Sequence, residues 1–331
     1  MSNGTILGRF VWHELMTTDT KSAAAFFTKV VGWKTQAWAQ DPSYSMFAAA
    51  SGPAAGLMML PEDAKAMGAP PSWLTYIGVP GVDETARQAA TLGATVLRQP
   101  SDIPNVGRFA VIRDPQGAVF AIFTPAQAAP DTPATVGNFS WHELSTTDWR
   151  SALTFYQRLF RWEETNSMDM GPEMGTYQMF GWKGKTLGGM FNKSKQMPGP
   201  PFWLPYIQVA DSKKAAATVK KLGGRVINGP MQVPGGDWIA QGMDLQGAVF
   251  AVHSANPTAS AAPAAKPKPS PAKASKRPAA KMQAAKKTAR KTAKKTKPAK
   301  TPVKKGKPKR SAGASKRARR GKPARSSKRR R

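Results

Sequence analysis

The chain has 331 residues, 50 Lys and Arg against 19 Asp and Glu for a formal net charge of +31, and no cysteine. The missing thiols exclude disulfides, zinc–thiolate centres and thiol catalysis, and no apolar run reaches the ~18–20 residues that cross a bilayer as a helix. Residues 257–331 hold 29 of the cations and no acid, which leaves a net of only +2 in the first 256. A nearly neutral body, long enough for two cored domains, and a very basic tail therefore need separate explanations. The start, "MSNGTILGRFVW", lacks a charged end followed by a long apolar run, so no secretory signal is expected and the chain reads as soluble and cytoplasmic.

The body opens with "FVWHELMTTD" at Phe10–Asp19, which returns as "FSWHELSTTD" at Phe139–Asp148, a step of 129. "PPSWLTYIGV" at Pro70 and "DPQGAVFAIF" at Asp114 return at Pro200 and Asp244 with a step of 130. A constant step over a hundred residues predicts two tandem domains of one fold, 8–125 and 137–254, joined by the linker-like "TPAQAAPDTPATVG".

Within each repeat the order of elements is strand, helix, three strands, twice over. After the first strand, Ala23, Phe26, Phe27, Val30 and Val31 recur at the spacing of a helix with one buried face, as do Ala152, Phe155, Tyr156, Leu159 and Phe160. Asp19 and Asp148 stand where an N-cap is wanted. "WKTQAWA", "YSMFAAA" and "GLMML" then read as strands. The cycle restarts with the strand "WLTYIGV" and the helix "VDETARQAATLGA", its Ala86, Ala89 and Ala90 expected inward. It closes with strands "ATVLRQ", "GRFAVIR" and "AVFAIFT", the last two joined by the turn "DPQG". The expected fold class is α+β: four βαβββ modules paired into two tandem domains, followed by a disordered tail.

"WHELMTTDTKSAAAFFTKVVGW", "WLTYIGVPGVDETARQAATLGATV" and "RDPQGAVFAIF", with their second copies, resemble the vicinal oxygen chelate superfamily of glyoxalases, bleomycin-resistance proteins and extradiol dioxygenases. The resemblance implies that two modules form a U-shaped sheet around a cleft, with a metal held by first-strand and last-strand side chains. Carried over residue by residue, the first-strand ligand positions fall on Trp12, Trp73, Trp141 and Trp203, and the last-strand positions on Ala121 and Ala251. None of these coordinates a divalent ion, so no metal ligand and no cofactor are assigned.

Side chains alternate across a strand. With Trp12 in the cleft, Glu14 shares its face and His13 points to the helix layer, and the same holds for Trp141, Glu143 and His142. The histidines then read as packing residues, as does His253, which has no obvious partner in sequence. Glu14 and Glu143 are the candidate acid–base groups, because a carboxylate among tryptophans is desolvated and its pKa raised; a carboxylate bonded to backbone or an arginine is the alternative. Trp12, Trp73, Thr75, Trp141 and Trp203 are the candidate ligand-binding residues, an aromatic wall suited to small apolar molecules. The glycines of "AAGLMM" and "LGGMFN" read as closely packed strand positions.

The tail is built of Ala, Lys, Arg, Pro, Ser and Thr, resembles linker-histone tails, and carries "SPAK" at Ser270 and "TPVK" at Thr301. Its spaced cations, among them Lys286, Lys287, Arg290, Lys294, Lys295, Lys304, Lys305, Arg317, Arg319, Arg320, Arg329 and Arg330, predict phosphate neutralisation on DNA or another polyanion and nucleoid association. Three classes stay open for the body: a metal-independent lyase- or isomerase-type enzyme using Glu14 or Glu143, a binding protein like the bleomycin-resistance members, and an architectural head on a DNA-compacting tail.

Overall fold

The computed structural model of the chain describes residues 6–127 and 135–256, Glu173 and Lys195 apart. The first half runs β1 (Phe10–Thr17), α1 (Thr20–Val31), β2 (Lys34–Trp38), β3 (Asp41–Ala49), β4 (Gly52–Met59), a short α2 (Glu62–Ala66), β5 (Ser72–Gly78), α3 (Val82–Thr91), β6 (Thr95–Ile103), β7 (Gly107–Arg113) and β8 (Val119–Pro125). The second runs β9 (Phe139–Thr146), α4 (Trp149–Phe160), β10 (Glu163–Asp169), β11 (Thr176–Trp182), β12 (Lys185–Asn192), β13 (Phe202–Gln208), α5 (Ser212–Lys221), β14 (Arg225–Gln232), β15 (Trp238–Met243) and β16 (Val249–Ser254). Each half is one eight-stranded sheet, ordered β2-β3-β4-β1-β5-β8-β7-β6 and, in the same pattern, β10-β11-β12-β9-β13-β16-β15-β14. The chain is thus an α+β protein of four βαβββ modules. Asp19 and Asp148 cap α1 and α4 by accepting from Ser22 N and Arg150 N. Ala90 is the one misplaced helix residue: α3 buries Val82, Thr85, Ala86 and Ala89 instead.

One face of each sheet, the back, is buried against the helices and the other half. The two cores each draw on both halves. One joins α3, β7 and β8 to α4 and the start of β13; the other joins α1, β3 and β4 to α5, β15 and β16. Accordingly α1 packs on α5 and α3 on α4. The described halves are interlocked through shared apolar surface, and burying that surface is what drives them together.

The seam between them is set by the repeated first strand. His13 and His142 are buried with Nε2 atoms 2.8 Å apart. Phe10 stacks on His142 at 3.5 Å between centroids, and Phe139 on His13 at 3.6 Å. Phe10 and Phe139 reach the back because a bulge follows each one in the ladder, and the extra residue turns the next side chain to the opposite face. Trp33 Nε1 donates to Gly137 O at 2.7 Å and Trp162 Nε1 to Gly8 O at 2.8 Å, so the halves are tied reciprocally about an approximate twofold. Identical side chains on such an axis cannot both donate. His142 Nδ1 lies 3.3 Å from Leu187 O, an acceptor only, so Nδ1 carries the proton. His142 Nε2 is then the acceptor and His13 Nε2–H the donor. Burial, and for His13 also the neighbouring His142, holds both imidazoles neutral, with His13 well below the usual range and His142 down to about 3.

The twofold fails at one buried point. In the α4 core Tyr156 donates to Asp114 Oδ2 at 2.9 Å and accepts from Trp203 Nε1 at 3.0 Å. The corresponding residue in α1 is Phe27, and the buried Trp73 Nε1 and Asp244 Oδ2 have no hydrogen-bond partner. Gln116 likewise accepts from Thr146 and from Asp148 N, whereas its counterpart Gln246 Oε1 and Thr17 Oγ1 are unpartnered.

Two predictions follow from these contacts. Phe27→Tyr supplies the missing hydroxyl to two buried polar atoms, each of which costs about 1–3 kcal/mol when unsatisfied. It should therefore raise the melting temperature by several degrees in a thermal unfolding scan, and Tyr156→Phe should lower it by a similar amount. The buried neutral histidines contribute stability that is full above the unfolded pKa of about 6.5 and is lost as pH falls towards their depressed folded values. Glu143, raised to about 7, has the opposite sign: its contribution is full below the unfolded carboxylate value and is lost as pH rises through about 7. Denaturant unfolding of Glu143→Gln should therefore show a steeper loss of stability than the wild type on acidification from pH 6.5 to 5.

Candidate functional site

Among the described residues, no helix residue joins the apolar cluster on the front face of either sheet. In the first half this face presents Trp12 and Glu14 from β1, Leu74 and Tyr76 from β5, Phe109 and Val111 from β7, and Val119, Ala121 and Phe123 from β8. Several of these apolar residues are only partly buried. Glu14 sits among them, nearly enclosed at 7% exposure. Tyr44 donates to Glu14 Oε2 at 2.9 Å and Tyr76 to Oε1 at 3.1 Å, while Trp12 Nε1 donates to the Tyr44 hydroxyl at 3.1 Å. Burial pushes the Glu14 carboxyl up; the two phenols and the nearby Arg98 pull it partly back. Arg98 itself lies over the Phe109 ring at 5.1 Å.

The second half repeats the arrangement with different edges. Tyr177 donates to Glu143 Oε2 at 3.1 Å and Gln241 Nε2 to Oε1 at 3.3 Å, and Trp141 Nε1 backs Tyr177 at 2.9 Å. Gln241 also donates to the Tyr206 hydroxyl at 2.8 Å. The phenols of Tyr177 and Tyr206 and the amide of Gln241 favour the ionised form, yet burial dominates and pushes Glu143 up to about 7. Gln241 replaces Val111 and Asn228 replaces Arg98, so the second carboxyl faces neutral donors where the first faces a cation.

Each tyrosine crosses its sheet only because the strand beneath has no side chain. A Cβ on Gly56 would collide with the Tyr44 hydroxyl, and one on Gly189 with the Tyr177 ring. Gly56 is the ladder neighbour of Glu14, and Gly189 that of Glu143.

Of the sequence-derived candidates, Trp12 with Glu14 and Trp141 with Glu143 meet on the front faces. Trp73, Thr75 and Trp203 do not. Trp73 pairs with Leu15 and Thr75 with His13 across β1, which places both on the back. Trp73 packs against Phe27 and Trp203 against Tyr156, and Thr75 Oγ1 is buried without a partner. The expectation slipped by one residue, and one residue in a strand exchanges the faces. The front positions belong to Leu74, Tyr76, Leu204 and Tyr206. His253 also finds partners: its Nδ1 lies 3.0 Å from Ser140 Oγ and its Nε2 3.0 Å from Asp237 Oδ2, fastening the end of β16 to β9 and to the residue before β15. The tail residues assigned to DNA lie outside the described residues.

The superfamily's metal does not fit these faces. Trp12, Leu74 and Ala121, and likewise Trp141, Leu204 and Ala251, offer no donor, and the one carboxylate on each face is already held by phenols or an amide. Among the described residues no group of three His, Cys, Asp or Glu is placed to share an ion. None of the described helices is long and apolar enough to cross a membrane.

Comparison with known proteins agrees with the fold and sharpens the family. Residues 12–123 match the model described as "Glyoxalase-like domain". "Putative glyoxylase CFP32" of Mycobacterium bovis is 31% identical over 257 residues, covering 74% of this chain and 94% of the relative. "Anthracycline biosynthesis protein DnrV" of Streptomyces peucetius is 26% identical, covering 74% and 92%. Among solved structures, the 2,2',3-trihydroxybiphenyl 1,2-dioxygenase of Sphingomonas wittichii superposes with a TM-score of 0.55 at 10% identity, covering 75% of this chain and 90% of the dioxygenase. The Mn(II)-bound glyoxalase of Novosphingobium aromaticivorans gives 0.51 at 15%, covering 75% and 82%; at these identities the likeness is one of fold. With its two βαβββ pairs and near full-length similarity to a mycobacterial relative, the chain belongs to the glyoxalase-like family.

Proposed function

We propose that the body is a metal-independent binding module for planar aromatic small molecules, and that residues 257–331 hold it on DNA. The observation that carries the first part is the carboxyl held by two phenols on the first front face and by a phenol and an amide on the second. Glu14 and Glu143 stand where the fold offers a polar anchor, ringed by Trp12, Tyr76, Phe109 and Phe123 or by Trp141, Tyr177 and Tyr206. Pockets for such ligands are mostly apolar with a few fixed polar groups, and the partly exposed aromatic faces supply that. The relatives named for anthracycline biosynthesis support a polycyclic aromatic ligand.

A second reading, proton-transfer catalysis, is favoured on the second face alone. A carboxyl raised to about 7 is populated in both forms at neutral pH, which suits a general acid or base. There Glu143 would exchange a proton with the ligand while Tyr177 and Gln241 hold the carboxyl in place.

The test is a thermal-shift screen of the full chain against planar polycyclic aromatics, an anthracycline included, since a ligand that binds only the folded form raises the melting temperature. A hit should lose affinity at least tenfold in Glu14→Gln or Glu143→Gln with the ligand-free melting temperature within a few degrees of the wild type. Unchanged affinity in both variants removes the carboxyls as anchors. Turnover of the hit that disappears in Glu143→Gln would select the catalytic reading.

The reading of the tail rests on its charge, 29 cations without an acid. Deleting residues 257–331 should cut retention on duplex DNA by at least a hundredfold, and full-chain binding should weaken steeply between roughly 50 and 200 mM salt. Salt-independent retention would contradict it.

A further inference from the structure

The body's net charge of +2 conceals a strong segregation. The packed pair α1 and α5 carries Lys21, Lys29, Lys213, Lys214, Lys220 and Lys221, all exposed, and no acid within either helix. The N-caps Asp19 and Asp211 accept from backbone N–H groups; with them the pair nets +4, and Asp237 lies beside the first turn of α5. The pseudo-equivalent pair, α3 with α4, has Arg87, Arg150, Arg158 and the C-cap Arg161 against Asp83, Glu84 and the N-cap Asp148, a net of +1. The charges that differ are on exposed positions, so core packing does not demand the difference.

Three details give the basic pair a direction. Lys213 and Lys220, and again Lys214 and Lys221, are seven residues apart, so each couple shares a helix face at about 10 Å. Lys213 Nζ is held 3.6 Å over the Trp238 ring, and Lys214 makes a loose, exposed contact with Asp211 at 3.8 Å, a pairing too weak to neutralise it. The described chain ends beside these lysines. Ser254, the last residue of β16, accepts from Ser212 N through its Oγ at 3.1 Å, and Asn256 N donates to Asp237 at 2.8 Å. The last described residue, Asn256, therefore lies close to the first turn of α5.

We infer that the α1–α5 face docks on the phosphate backbone of the duplex DNA that the tail engages, so that the body lies against the nucleic acid in a fixed orientation. This rests on the reading of the tail as a DNA anchor. A basic helix face and a basic tail in one chain both attract a polyanion, whose phosphates can neutralise the two together. The other helix pair, being nearly neutral, has little such attraction, and the front faces of the sheets stay free for ligand.

The test compares two full-chain variants that lose the same charge. One carries Lys213→Gln, Lys214→Gln, Lys220→Gln and Lys221→Gln; the other carries Arg87→Gln, Arg150→Gln and Arg158→Gln from α3 and α4 with Lys183→Gln from the turn between β11 and β12. Fluorescence anisotropy with a short duplex DNA at several salt concentrations gives Kd and its salt slope, and a melting scan confirms folding. The α5 variant should bind at least tenfold more weakly at about 100 mM salt, with a slope shallower by roughly 2–3 because each lost phosphate contact removes about 0.9. The control should change less than twofold. Equal loss in both variants, or no loss in the α5 variant while the wild type binds, overturns the docking face and leaves the tail reading standing. A wild type that does not bind duplex DNA overturns both. Loss confined to RNA or polyphosphate overturns the assignment of duplex DNA as partner.

Discussion

The contact on which the rest of the body depends is the hydrogen bond between two buried neutral imidazoles, His13 and His142, at 2.8 Å. It sits where the duplicated first strand meets itself, and it dictates which way the neighbouring side chains point. Because His13 and His142 turn inward, Trp12 and Glu14, and Trp141 and Glu143, turn outward to the open faces. Stacking of each imidazole on the other half's Phe10 or Phe139 seals the seam against water, and this enclosure is what keeps both rings unprotonated. A charged imidazole here would be a desolvated cation facing its twin, with no carboxylate to offset it. The adjacent His and Glu of the repeat thus lie in opposite environments, the sealed seam and the open face.

The duplication has been kept in the backbone and relaxed in the side chains. Phe27 in place of Tyr156's counterpart leaves Trp73 and Asp244 with unpartnered polar atoms. Arg98 and Val111 in one half face Asn228 and Gln241 in the other, so the two carboxyls experience different fields. The helix layer has diverged as well, one pair basic and one nearly neutral. Such asymmetry in a symmetric frame gives one chain two unlike front faces and two unlike helix faces without altering its fold.

Much of this was legible in the sequence. The step of 129–130 residues, the helical spacing of Ala23, Phe26, Phe27, Val30 and Val31, and the caps Asp19 and Asp148 rest on local rules, and they hold in the structure. The split of His13 from Glu14 followed from alternation alone. The phase of β5 and β13 did not, since both strands are buried on both faces and "WLTY" offers an aromatic ring to each face, so that polarity does not fix the register. Trp73, Thr75 and Trp203 were placed one residue out for that reason. The phenols that hold the carboxyls were out of reach too, because Tyr44 and Tyr76 come from strands 30 and 62 residues away. The trace they left was Gly56 and Gly189, read only as sites of close packing.

The account stands most directly on one titration of the full chain, followed by NMR with labelled imidazole nitrogens and glutamate carboxyls between pH 5 and 8. It predicts that His13 stays in the Nε2–H form and His142 in the Nδ1–H form throughout, while the Glu143 carboxyl titrates near 7. Imidazoles that protonate near 6.5 together with a Glu143 carboxyl that titrates near 4.5 would contradict it, for the first strand would then be neither sealed at its seam nor desolvated on its open face.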